Sequence, residues 1–309
     1  MTGFRIGAIW GIPIRLHASW FLIFGMLTWS LSREYYVVEY PGMNTGIYLL
    51  LGVFTSLLFF ASVLAHELGH SWVALRNGIP VRGINLLIFG GVAQIERDPH
   101  SPAAEFLIAI AGPLTSLVLG GLFGLVYLVL RAFPALEALS QYLLRINLML
   151  AAFNLIPGFP LDGGRIFRAV VWAINHNFVK ATHIAAIIGQ IIAFIFIGGG
   201  IVLMFLGQFS NGVWMMLIGW FLQNAAATAN QQVNIEINLR STTVGQAMDR
   251  QLIKLPGLTP LNRVIEEFLL KQAEPIIYVL ESGEVAGMLT PREIQKIPRP
   301  HWRFTTINQ

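Results

Sequence analysis

Six stretches of this chain are apolar for nearly as long as a bilayer's hydrocarbon core is thick, which limits the fold more than any motif does. They run Leu16–Ser32, Gly46–Leu75, Phe106–Leu130, Leu139–Ile156, Ala181–Leu206 and Phe209–Ala229. A helix needs about 20 apolar residues to cross. Backbone amides in lipid must bond within the protein, which favours helices. The first and fourth runs are short and need flanking residues to complete a crossing. Only 12% of the 309 residues are charged, against about 25% in soluble domains. The expectation is an α-helical polytopic membrane protein with six transmembrane helices.

Charge placement then sets orientation. Arg5, Arg15, Arg76, Arg82, Arg97, Arg165, Arg168 and Lys180 fall on one side of this layout. Arg33 and Arg131 fall on the other, with Arg145 near the outer end of the fourth run. The positive-inside rule puts both termini in the cytoplasm. The net charge of +4 reads as cationic loops rather than as nucleic-acid binding. The chain has no cysteine, which excludes disulfides and thiolate ligands. The first apolar run begins after Arg15 and lacks a small-residue cleavage site, so no cleavable signal peptide is expected. One segment, INLLIFGGVAQIE (Ile84–Glu96), is apolar but too short to span. Its Gly-Gly turn between strand-like halves predicts a β-hairpin dipping into the membrane, the alternative being a hairpin lying on its surface.

Chemistry concentrates in the second run, at ASVLAHELGHSWVAL. Ionisable groups in hydrocarbon are expensive and are functional by default. Positions i and i+4 share a helix face, so His66 and His70 can bind one metal ion and Glu67 can reach a water on it. The alternative is two core histidines satisfied by hydrogen bonds. Catalytic zinc takes three protein ligands. Asp162, in NLIPGFPLDGGRIF after the inward-running fourth run, is the candidate third, with His176 and His183 as competitors. The prolines and glycines around it break the helix and free the side chain to aim inward. Its alternative role is a helix N-cap. GGG at Gly198–Gly200 suggests close helix packing or a gate.

HELGH followed by NLIPGFPLDGG, with GIPIRLHASW (Gly11–Trp20), FGG (Phe89–Gly91) and AGPLTS (Ala111–Ser116), resembles the site-2 protease family of intramembrane zinc metalloproteases. The resemblance covers roughly residues 1–230. It implies zinc held by His66, His70 and Asp162, and Glu67 as catalytic acid/base. Asn154 would hold substrate backbone or the developing oxyanion. Ser116 stands where many members carry an amide. The implied activity is cleavage, near the cytoplasmic side, of single-span membrane proteins such as a membrane-bound regulator or anti-sigma factor, amid membrane lipid. The competing class is a metal-ion transporter using the same His and Asp residues.

After Ala229 the composition turns polar. Residues 231–240 read as a linker and 241–309 as a small α/β unit. There a helix (Leu261–Lys271) precedes two strands joined across Ser282–Gly283, and a further helix starts at Pro291. This resembles a CBS (cystathionine-β-synthase) repeat, a module that pairs and often binds adenine nucleotide. Thr290 and Glu293 stand at the nucleotide-contact positions, with Glu293 where the family usually carries Asp. FTTINQ echoes STTVGQ, so a second repeat is expected from Phe304, in a longer native chain. A lone repeat would expose its pairing face, which suggests a homodimer.

Overall fold

The computed structural model describes residues 3–87, 90–248, 252–269 and 276–308. It divides into two units, Met1–Ile237 and Asn238–Gln309.

The first unit opens with a hairpin, β1 (Phe4–Ile9) and β2 (Ile12–Leu16). Its turn passes through Trp10 and Gly11 with φ of 52 and 79°, the twist that tight hairpins favour. No element was expected before Leu16. Arginines, Gly7 and Pro13 dilute the alternation there, and β2 gains its place by parallel pairing with β3 (Val81–Leu87), Ile14 opposite Ile84. β3 pairs antiparallel with β4 (Gly90–Ile95), Ile84 opposite Ala93, which forms the expected Ile84–Glu96 hairpin. Ile88 and the Phe89 of FGG lie outside the described residues. The sheet order β1-β2-β3-β4 leaves β4 at an edge.

Helix α1 (Ala18–Ser30) starts at His17, whose Nδ1 accepts from the Ser19 amide at 3.2 Å. A π-helical turn (Leu31–Tyr35) leads to α2 (Tyr36–Glu39). Then come α3 (Thr45–Arg76), α4 (Pro102–Val129), α5 (Pro134–Asn154), α6 (Asp162–Asn175), α7 (Phe178–Phe205) and α8 (Phe209–Ser241). Ile12, Leu16, Trp20, Phe60, Val63, Ile84 and Leu86 form one core. The sheet thus lies against α1 and α3, beside the HELGH segment.

All six apolar runs lie largely in helices. Among the described residues, three helices, α3, α4 and α7, are long and apolar enough to cross a membrane. The others fall short for identifiable reasons. α1 has 13 residues, roughly 20 Å of helix. α5 carries Ser140, Gln141, Arg145 and Asn147, and α8 turns polar after Leu222. Residues 231–240, expected as a linker, continue α8. Large apolar side chains face outward on the three long helices: Leu49 and Phe54, Leu114 and Val118, Ile191 and Phe194. Small residues face inward, as at Ala181, Ala185, Ala186 and Ala193. This inversion of the soluble pattern marks a multi-pass membrane protein. Two hydroxyl pairs join elements: Tyr36 with Thr55 at 2.7 Å, and Thr28 with Ser56 at 3.1 Å.

In the second unit, β5 (Ile253–Pro256), β6 (Ile277–Glu281) and β7 (Glu284–Leu289) form a sheet in that order. α9 (Val244–Ala247) precedes it. α10 (Leu261–Val264), extended by a π-helical turn to Leu269, connects β5 and β6. α11 (Pro291–Ile294) follows β7. The two expected strands and the helix at Pro291 are present, while Lys271 lies outside the described residues. The tail returns to the same core: the Ile307 amide donates to the Thr259 carbonyl at 3.1 Å, and Ile307 is buried with Leu261, Val264 and Ile277.

The glycine run packs. A Cβ at Gly200 would lie 2.7 Å from the Gly212 carbonyl oxygen, and one at Gly199 2.8 Å from Met215 Cε. Gly200→Val should therefore force α7 and α8 apart, at about 1–3 kcal/mol. The expected result is a lower thermal unfolding midpoint in detergent. An unchanged midpoint would show that this contact yields freely.

Candidate metal centre

His66 and His70 project from one face of α3, rings nearly perpendicular with centroids 4.9 Å apart. Each ring is oriented through its Nδ1 by α4. His70 Nδ1 lies 2.6 Å from the Ile108 carbonyl oxygen, and His66 Nδ1 2.9 Å from Ser116 Oγ. A carbonyl only accepts, so His70 Nδ1 carries the proton and Nε2 presents a lone pair. That lone pair faces Asp162 Oδ2 at 3.1 Å and His66 Nε2 at 3.3 Å; His66 Nε2 is also 3.1 Å from Asp162 Oδ2. With His66 in the same tautomer, three acceptors this close repel unless a positive charge lies among them.

A metal ion satisfies that condition. Ligand atoms about 2.0–2.1 Å from a tetrahedral zinc are about 3.3 Å from one another. The three separations match this edge length. All three ligand atoms lie within 4.8 Å of one another, and both histidines are buried. Two imidazoles and one carboxylate are also the donor types zinc prefers. The Nδ1 bonds then complete the usual outer shell, which fixes ring orientation.

The local sequence explains the geometry. At the α3–α4 crossing, a Cβ on Gly112 would sit 2.6 Å from His66 Nε2 and closer still to His70 Nε2. One on Gly69 would lie 3.0 Å from the Ala111 carbonyl oxygen. Asp162 is the first residue of α6, after Leu161 at the N-cap position. This corrects the N-cap alternative: its carboxylate goes to the histidines. Gly163 and Gly164 let the start of α6 press on the backbone of Leu155, Ile156 and Gly158, where any Cβ would collide. His176 ends α6 with φ of 54°, 14 residues on and so about 20 Å away. Among the described residues neither His176 nor His183 joins the cluster.

Glu67 stands apart from the ligand atoms. Its Oε2 accepts from the Ala93 amide of β4 at 3.2 Å. A Cβ on Gly91 would collide with Glu67 Cγ, so glycine makes room for the carboxylate at the strand edge. Asn154, last on α5, donates from Nδ2 to the Leu150 carbonyl at 3.0 Å. Among the described residues it makes no bond to the three ligands. In the second unit, Thr290 and Glu293 form a capping box for α11: the Thr290 amide donates to Glu293 Oε2 at 3.1 Å and the Thr290 hydroxyl donates to the same oxygen. The hydroxyl bond holds the Glu293 carboxyl below its usual range.

Residues 54–142 and 131–198 match the profile of peptidase family M50. A candidate zinc metalloprotease of Synechocystis sp., sll0528, is 34% identical over 98% of this chain and 80% of its own length. A candidate zinc metalloprotease of Mycobacterium tuberculosis, Rip3, is 34% identical over 97% of this chain and 77% of its own. The chain belongs to peptidase family M50. It is a zinc metalloprotease of the site-2 type, and the transporter alternative is not favoured. The site-2 protease structure from Methanocaldococcus jannaschii aligns with 33% identity and a TM-score of 0.48, over 74% of this chain and 95% of that one.

The sequence did not expose the roles of Gly112, the Ile108 carbonyl or the Ala93 amide in this M50 site. Ser116, noted only as a departure from the family, turns out to orient His66. Gly112→Ala in the M50 peptidase should abolish zinc retention while leaving helix content intact. Ser116→Ala should weaken zinc retention roughly 10-fold. Metal analysis of the purified variants checks both, and stoichiometric zinc in Gly112→Ala would contradict the cradle.

Proposed function

We propose that this protein is an intramembrane endopeptidase that cuts single-span membrane proteins close to the cytoplasmic face, as a step in regulated intramembrane proteolysis. The observation that carries the reading is Asp162 Oδ2 standing 3.1 Å from Nε2 of both His66 and His70, with Glu67 following His66 on α3. His66, His70 and Asp162 would hold the zinc. Zinc there supplies a Lewis acid for the scissile carbonyl and the attacking water.

The rest falls to the chain. Glu67 takes a proton from the attacking water as it bonds to the carbonyl carbon. Glu67 then gives that proton to the departing amine as the C–N bond breaks. Asn154 would have to leave its bond to Leu150 to reach substrate backbone or the oxyanion. A transmembrane helix hides its amides in its own ladder, so the substrate must unwind locally. An unwound segment can add as a strand to the β4 edge, where the Ala93 amide already meets Glu67. Water reaches the site from the cytoplasm.

The same reading takes all six apolar runs as spans, both termini as cytoplasmic, 1–230 as the protease domain and 241–309 as a CBS-like regulatory module. An adenine nucleotide at Thr290 would have to open the Thr290–Glu293 capping box. A membrane-bound regulator such as an anti-sigma factor is the substrate class this arrangement suits.

Glu67→Gln keeps the shape of the side chain and removes its ability to carry the proton. Zinc should stay bound, and cleavage of a co-expressed single-span substrate should fall at least about 100-fold. Cleavage at the wild-type rate would sink the acid/base role.

A further inference from the structure

The helix that delivers Asp162 is held by a second ionic contact, away from the metal. Arg168, further along α6, donates from Nε to Glu105 Oε1 at 2.6 Å, and its Nη2 pairs with the same oxygen. Its Nη1 donates to Thr182 Oγ1 on α7 at 3.3 Å. The Phe159 and Phe178 rings flank the guanidinium, with centroids 4.9 and 4.5 Å from its carbon. Glu105 is 0% exposed and Arg168 8%. Among the described residues, Glu105 Oε2 has no partner.

Stability alone is a poor account of this pair. Desolvating two charges is costly, and well-packed apolar side chains often do as well. An orphan carboxylate oxygen adds to the cost. What the pair does supply is direction. A planar guanidinium bonded along its edge and flanked by two rings fixes an angle that an apolar contact would leave loose. The elements it joins are those that build the zinc site. Glu105 lies one turn before Ile108, whose carbonyl orients His70, on the same helix as Ser116, which orients His66. Phe159 belongs to the loop that runs into Asp162.

We propose that Arg168 and Glu105 are positioning residues of the zinc site. They set α6 against α4, so that Asp162 Oδ2 arrives between the two Nε2 atoms that α4 has oriented. Neither touches metal or substrate. The inference rests on Asp162 being the third ligand.

The test uses the full chain in detergent, with zinc retention measured against a competing chelator and the visible spectrum of the cobalt-substituted protein. Glu105→Gln keeps the shape and removes the charge. Arg168→Lys keeps the charge and removes the planar fork. Each should weaken zinc retention about 10–100-fold and alter the cobalt spectrum, lowering kcat with KM unchanged. In an Asp162→Ala background the same two changes should weaken zinc no further, because the ligand they position is gone. Wild-type zinc retention in both single variants would overturn the proposal, as would equal losses with and without Asp162. Should Glu105→Gln not fold, Arg168→Lys decides alone. If Asp162→Ala itself keeps zinc at wild-type strength, the ligand reading fails instead, a separate result.

Discussion

Two imidazole nitrogens and a carboxylate oxygen converge on one point inside a membrane protein, an arrangement that a bound cation stabilises. That convergence organises the first unit. His66 Nε2, His70 Nε2 and Asp162 Oδ2 approach within 3.3 Å. The Ile108 carbonyl turns the His70 lone pair inward, and the Ser116 hydroxyl holds the His66 ring in place. Each neighbouring glycine then becomes intelligible. Gly112 clears the nitrogens, Gly91 clears Glu67, and Gly163 and Gly164 let α6 start hard against the preceding loop. Close approach of backbones, which bulk apolar packing alone would not give, is the price of concentrating polar groups at one point.

Much of this was legible in the sequence, for a physical reason in each case. The histidine spacing is a local helical relation, so it needed no knowledge of tertiary structure. Asp162 emerged because few acidic residues exist among the apolar runs and it stands alone in its segment, just after the inward-running fourth one. The hairpin announced itself through its Gly-Gly turn and β-branched flanks. The apolar runs marked helices well, yet among the described residues three helices are long and apolar enough to cross a membrane.

What was hidden depends on distant pairing. β2 is a strand because β3 lies beside it, and the arginines in β1 and β2 mask the alternation. Ser116 and Ile108 matter only because α4 crosses α3 at Gly69 and Gly112. Glu105 and Arg168 are 63 residues apart and read singly as ordinary loop-flanking charges. The polar stretch after Ala229 looked like a linker because its composition is soluble, but helix α8 continues through it.

The separation between the two halves of the metal site also has a consequence in time. His70 and Asp162 are 92 residues apart. At roughly 5–20 residues per second, a ribosome takes about 5–20 s to travel that distance. During that interval the histidines have been made and their carboxylate has not. A half-synthesised chain therefore holds the two histidines without the carboxylate that completes the ligand set.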